Sequence, residues 1–174
     1  MLSSKHKIFL FLPVALAGAG ADLWSKAFIF EWLLSKGNET VTVIPGVLSL
    51  VMRVNTGAAF SIATGQRGLL IGASVCALLI VVWFVVFGQL RQKTATAALG
   101  MFAGGVLGNL YDRIFNEGGV RDFIDVYYHN WHWPAFNVAD SLLCIAVLLL
   151  IISTFTVSSG RARQNTCSAD ESSF

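Results

Sequence analysis

The chain is poor in charge. Of its 174 residues only 13% are Asp, Glu, Lys or Arg, twelve basic against ten acidic, for a formal net charge of +2. That balance, with no basic stripe interleaved with aromatics, leaves no electrostatic footprint for a nucleic-acid partner. Cysteine is scarce too. Cys76 and Cys144 lie in apolar runs and Cys167 in a polar tail, an odd number without a CxxC, which argues against a disulfide framework or a zinc site. There is no GxSxG, no HExxH, and no cysteine beside a histidine in a nucleophile setting, so the usual signatures of serine, zinc and cysteine hydrolases are missing. What is abundant is apolar: 55% of residues are hydrophobic and the mean hydropathy is +0.67, values of an integral membrane protein.

Four apolar runs are long enough to span a bilayer, which takes about 20 helical residues. The first covers about 8–29, with Lys5, His6 and Lys7 before it and Pro13 near its start. Its opening imitates a secretory signal ending in AGAGA, with cleavage after Ala21 as the alternative. The apolar pattern resumes after Asp22 as LWSKAFIFEWLL, which suits a retained spanning helix. On that helix Asp22, Ser25 and Lys26 share a face at i, i+3 and i+4, and Asp22 and Lys26 are spaced as an ion pair. The second run, 68–88, holds 21 uncharged residues. The third, 94–111, carries Gly100, Gly104 and Gly108 every four residues, a face that permits close helix packing. The fourth, 136–157, opens with Asn137 and Asp140; residues 158–174 form a polar, Ser-rich tail expected to be disordered. Between the first two runs, TVTVIPGVLSLVMRVN is rich in β-branched residues and broken by Pro45-Gly46. It predicts two or three short strands over about 40–62, outside the bilayer because lipid does not tolerate an open sheet edge.

The chain is organised around residues 104–140, GGVLGNLYDRIFNEGGVRDFIDVYYHNWHWPAFNVAD. Asn109, Asp112, Arg113, Asp122, Asp125, Asn137 and Asp140 fall here, where ionisable groups at a membrane edge mark function. Several have plain structural readings. Asp112 and Arg113 suit an ion pair, Asn55 a turn with Gly57, and Asn137 a helix N-cap. His129 and His132 suit an unliganded interfacial pair rather than a metal site, beside Tyr127, Tyr128, Trp131 and Trp133 at the membrane–water boundary. Four helices return both termini to one side, with Lys5, Lys7, Arg91, Lys93, Arg161 and Arg163 there. Six other Lys and Arg fall on the opposite side, so the bare count is tied. The first six hug short segments at helix ends, whereas the others mingle with acids in longer ones; the positive-inside rule weights the former and makes the side of the termini cytoplasmic. Asp22, Asn55, Asp112, Asp122 and Asp140 then converge at the outer face.

Two aspartates held close together share a proton: the charged one can take a proton from water, the neutral one can polarise a carbonyl and protonate a leaving amine. Asp122 and Asp140 are the candidates, although spacing does not prefer them over Asp125 or Asp112. A small proton-coupled transporter or channel subunit would distribute its acids through the membrane depth, whereas the second run here has none. A protein whose polar patch only binds a partner would tolerate Asp140→Asn.

Taken in order, Asp22-x-x-Ser25-Lys26, NTGAAF (55–60), GGVLGNLYDR (104–113), VRDF (120–123) and FNVAD (136–140) resemble the motifs of lipoprotein signal peptidase, the type II signal peptidase of bacteria. The resemblance covers roughly 8–157 and implies one membrane peptidase domain, 1–157. The fold it implies is four transmembrane helices, a small extracytoplasmic sheet and an interfacial connecting helix over 124–133. It implies an aspartic endopeptidase that cuts diacylglyceryl-modified prolipoproteins before the lipidated cysteine, without cofactor or metal. The catalytic pair would be Asp122 and Asp140. Asp22, Lys26, Asn55, Gly108, Asn109, Asp112, Arg113, Asn137 and Ala139 would support the site or bind substrate. Expected partners are prolipoproteins, membrane lipid and inhibitors of the globomycin type, with no nucleic acid, for a monomer in the bacterial inner membrane. The glycine face at 100, 104 and 108 is expected to form a cleft for small substrate residues. If Asp125 lay on a helix, it would share a face with Asp122.

Overall fold

A computed structural model describes residues 4–57, 64–88, 90, 92–116 and 119–171, with side chains from 6 to 155. Ala58, Ala59 and Phe60 of the NTGAAF motif lie outside the described residues. Four helices carry the chain: α1 (Ser4–Ser35), α2 (Arg67–Phe87), α3 (Lys93–Phe115) and α4 (Val138–Glu171). Three contain stretches apolar and long enough to cross a membrane, namely His6–Ser35, Arg67–Phe87 and Val138–Phe155. Their outward faces are apolar. Phe9, Leu79, Phe87 and Phe155 are largely exposed, and α2 buries only Val81 and Val85. Helices apolar all round belong in lipid, so the protein is a membrane protein.

α3 is the central helix and packs on α1, α2 and α4. Its small residues make this possible. A Cβ at Gly100 would lie 2.9 Å from Phe11 O, and one at Gly104 2.8 Å from Ala15 O. On the opposite side a Cβ at Gly105 would lie 2.7 Å from Ala139 O. The face of Gly100, Gly104 and Gly108 is therefore filled by α1, by its backbone at Gly100 and Gly104 and by the Asp22 side chain at Gly108; it is a packing seam and not the substrate cleft expected from sequence. Gly104→Leu should accordingly abolish folding, with loss of the monodisperse detergent-solubilised species in size-exclusion chromatography. A folded but inactive Gly104→Leu protein would return the cleft reading.

Two long-range contacts fix the helix ends. Lys7 Nζ donates to Gly88 O at 2.8 Å, tying the start of α1 to the end of α2. Arg67, opening α2, donates through Nε to Arg113 O (2.8 Å) and through Nη2 to Ile114 O (2.9 Å), satisfying carbonyls at the end of α3.

Beyond the end held by Arg67 lies a four-stranded antiparallel sheet in the order β1 (Thr40–Ile44), β2 (Leu48–Asn55), β3 (Val120–Tyr128), β4 (Trp131–His132). The β1–β2 hairpin turns at Pro45-Gly46, where Gly46 has φ 79°, a conformation that favours glycine. The connection after α3 is a strand and a short hairpin, and not the interfacial helix expected. VRDFIDVYY is rich in β-branched and aromatic residues, and it gives β2 a second partner. An isolated hairpin is marginal in water, and a third strand makes the sheet stable. The β2–β3 register shifts between Leu50 and Arg53, a bulge beside the residues of interest.

Candidate active site

The site forms where the end of α3, the start of α4, β3 and the second half of α1 meet. Asn137 is the residue before α4, and its position as N-cap organises the rest. Asp140 N–H donates to Asn137 Oδ1 at 3.0 Å while Asp140 Oδ2 accepts Asn137 N–H at 3.2 Å, a reciprocal capping box with aspartate in the third position. The cap's remaining group, Nδ2, donates to Asp122 Oδ1 at 2.6 Å. One asparagine thus holds both aspartates. Asn109 Nδ2 donates to the other oxygen of Asp140 at 2.9 Å. Asn55 serves two purposes: its Oδ1 accepts Gly57 N–H at 2.9 Å as the turn reading expected, and its side chain bonds Asp122.

A second layer is fully buried. Lys26 Nζ lies 2.6 Å from Asp22 Oδ2, 2.9 Å from Asn109 Oδ1 and 3.3 Å from Asp112 Oδ2. The i, i+4 spacing on α1 makes the first of these contacts; packing against α3 makes the others. Asp22 Oδ1 accepts Ala139 N–H at 2.8 Å, so α1 satisfies one of the free amides at the start of α4. Gly108 is needed here because a Cβ would overlap the Asp22 carboxylate. Asp112 does not pair with Arg113 as expected. Its oxygens accept the backbone N–H of Arg121 (3.0 Å) and its guanidinium Nη2 (2.7 Å). Arg113 instead donates to Gly57 O at 3.0 Å and, more weakly, to Asn109 O, anchoring the end of the NTG turn.

Burial, then the nearby Asp140 charge, raise the Asp122 carboxyl from the ordinary range to about 7, against the lowering effects of Asn137, Asn55 and Lys26. Charge counting points the same way. Asp22, Asp112, Asp122 and Asp140 are four carboxyls; Lys26, Arg113 and Arg121 are three cations. One proton on the acid pair neutralises the cluster, which lowers the cost of its burial.

Asp125 is separate. Three residues beyond Asp122 on a strand, it points to the other side, and its carboxylate pairs with His132 Nδ1 at 3.0 Å. The structure therefore brings together Asp22, Lys26, Asn55, Gly108, Asn109, Asp112, Arg113, Asp122, Asn137, Ala139 and Asp140, and leaves Asp125 outside. Sequence reading missed Arg121, Gly57 and Arg67 as members of this network. Arg121 stands inside VRDF, but nothing in its spacing announces a bond back to the end of α3.

The fold occurs in known proteins. A bacterial membrane enzyme solved by the in meso method at 2.3 Å superposes with a TM-score of 0.74 at 27% identity, over 90% of this chain and 91% of that one. A second, solved at 1.9 Å, superposes with a TM-score of 0.69, also at 27% identity. The fold is thus that of a bacterial membrane enzyme. The family model of signal peptidase (SPase) II matches residues 14–156. A lipoprotein signal peptidase of Rhodopirellula baltica is 38% identical over 163 residues, covering 86% of this chain and 73% of its own. One of Geobacter sulfurreducens is 44% identical over 119 residues, covering 66% and 72%. The chain belongs to the signal peptidase II family and is a protease.

Proposed function

We propose that this protein removes signal peptides from diacylglyceryl-modified prolipoproteins by cutting before the lipidated cysteine, with Asp122 and Asp140 as a catalytic pair sharing one proton. The observation that carries this reading is Asn137, which bonds both aspartates from the N-cap of α4. In the reaction the charged aspartate takes a proton from water, whose oxygen attacks the scissile carbonyl. The protonated aspartate donates to the carbonyl oxygen and, as the tetrahedral intermediate collapses, a proton reaches the cysteine amine as the C–N bond breaks. Asn109 and Asn137 hold the carboxylates, and Arg113 holds the turn that carries Asn55. No step calls for a metal or cofactor.

In this reading α3 is a fourth span. Its glycines and its polar last turn lower its hydropathy, and three neighbouring helices shield it from lipid. Both termini are cytoplasmic and the acid pair lies at the outer edge of the inner membrane, with the sheet outside; the domain is 1–157. Among the described residues, α2 and α4 each pack on α3 with at most slight contact with one another. That leaves a lateral way in, through which a diacylglyceryl group can approach with its acyl chains still in lipid. A globomycin-type inhibitor would block the same cleft, and a single chain suffices for activity.

The test is the pH dependence of kcat/KM on a diacylglyceryl-modified prolipoprotein. Raising pH through about 7 removes the shared proton from the pair. Activity should therefore fall on the alkaline side, approaching about tenfold per pH unit once that single proton is lost. A profile flat through the alkaline range contradicts the shared-proton pair.

A further inference from the structure

α2 carries a single charged residue, Arg67, at its first position. A charge at a membrane edge is costly and usually marks function. No ion pair holds this one among the described residues. Its guanidinium reaches across to α3 and donates to Arg113 O at 2.8 Å and to Ile114 O at 2.9 Å. Both carbonyls lie in the last turn, where a helix leaves four without internal partners.

That turn leads to the acid pair. Arg113 Nη2 donates to Gly57 O at 3.0 Å, Gly57 N–H donates to Asn55 Oδ1 at 2.9 Å, and the Asn55 side chain bonds Asp122. Asp112, in the same turn, is fixed on its own account by Lys26 and Arg121. Arg113 is held less firmly. Besides Gly57 its guanidinium has one weaker bond, at 3.4 Å to Asn109 O, and its buried Nε has no hydrogen-bond partner among the described residues. Where this side chain points therefore depends on the main chain it leaves, and Arg67 holds that main chain. We infer that Arg67 is a positioning residue for the acid pair: by clasping the last turn of α3 it sets where Arg113 places Gly57, and so where Asn55 meets Asp122. The inference rests on the peptidase reading above.

Wild type, Arg67→Gln, Arg67→Lys, Asn55→Ala and the Arg67→Gln/Asn55→Ala double variant test it on a diacylglyceryl-modified prolipoprotein. For each, kcat, KM and the unfolding midpoint are measured. The acid pair is titrated by kcat/KM and by carboxyl-carbon NMR, which needs no turnover. Displacing a group by about 1 Å can cost about 10²-fold, so a loosened turn should cost about tenfold in kcat while KM stays within about twofold. Arg67→Lys, which can still donate to one carbonyl, should recover part of the loss. In Arg67→Gln the alkaline limb should move to higher pH, because the Asn55 bond holds the Asp122 carboxyl down against its burial. The charges facing Asp122 are Asp140 on α4, Lys26 on α1 and Arg113 on α3, and the substitution removes none of them. A long-range effect of the lost Arg67 charge would persist without Asn55, whereas a positional effect would not. The double variant should therefore titrate as Asn55→Ala does. An unmoved limb in Arg67→Gln, whatever its kcat, or a shift that adds to that of Asn55→Ala, overturns the inference and leaves the peptidase standing. No cleavage by folded wild type overturns both.

Discussion

Asp140→Asn and Asp122→Asn should each lower prolipoprotein cleavage by about 10³-fold or more while the protein still folds. An amide in either position can neither take a proton from water nor deliver one to the leaving amine, and general acid–base steps contribute roughly 10²–10⁴-fold each. The amide nearly preserves shape. At position 140 its oxygen can still accept a hydrogen bond and its backbone N–H still reaches Asn137 Oδ1, so the cap of α4 survives. Asp125→Asn provides the internal contrast. Its carboxylate bonds His132 and takes no part in the Asn137 network, so turnover should stay within about threefold of wild type. The measurement is initial cleavage rate for each purified variant alongside its unfolding midpoint. Activity retained in Asp122→Asn and lost in Asp125→Asn would move the catalytic acid along β3.

Lys26→Met should be the most destabilising single change in the cluster. The ammonium is fully buried between Asp22 and Asp112 and also bonds Asn109. Methionine matches its length but supplies no charge. Asp112 keeps Arg121, whereas Asp22 is left in the interior with only the Ala139 amide. Removing one member of a buried pair typically costs about 3–5 kcal/mol. For a chain of this size that corresponds to a fall in unfolding midpoint of about 10 °C. Adding Asp22→Asn to Lys26→Met should recover part of the loss, because it removes the stranded charge. A Lys26→Met protein that unfolds at the wild-type temperature would show that the ammonium is not essential to this interior. Turnover should fall as well, since Asn109 is held by Lys26 and in turn holds Asp140.

Much of this architecture was legible because the physics behind it is local. Long apolar runs mark α1, α2 and α4, and Pro45-Gly46 between β-branched stretches marks the β1–β2 hairpin. Asp22 and Lys26 meet because a helix brings i and i+4 together, and Asn137 caps α4 because its side chain suits that position. What was not legible depends on packing between distant segments. The strand at Val120–Tyr128 reads as an interfacial element because tyrosines and tryptophans surround it; only β2, some 65 residues earlier, makes it a strand. That change of element also moves Asp125 away from Asp122, since a separation of three shares a face on a helix and not on a strand. Adjacency in sequence suits Asp112 to Arg113, but the chain doubles back after α3 and presents Arg121 instead. The glycine face permits the close helix approach read from its spacing, and its occupant is α1 rather than substrate.

The most direct measurement incubates purified wild-type protein in detergent with a diacylglyceryl-modified prolipoprotein and identifies the products by mass spectrometry. The expected result is one cut, giving a free signal peptide and a mature chain whose new N-terminus is the lipidated cysteine, with Asp122→Asn and Asp140→Asn leaving the precursor intact. An untouched precursor with folded wild type, a cut elsewhere, or the same product from either asparagine variant would contradict a proton-sharing aspartate pair at this site.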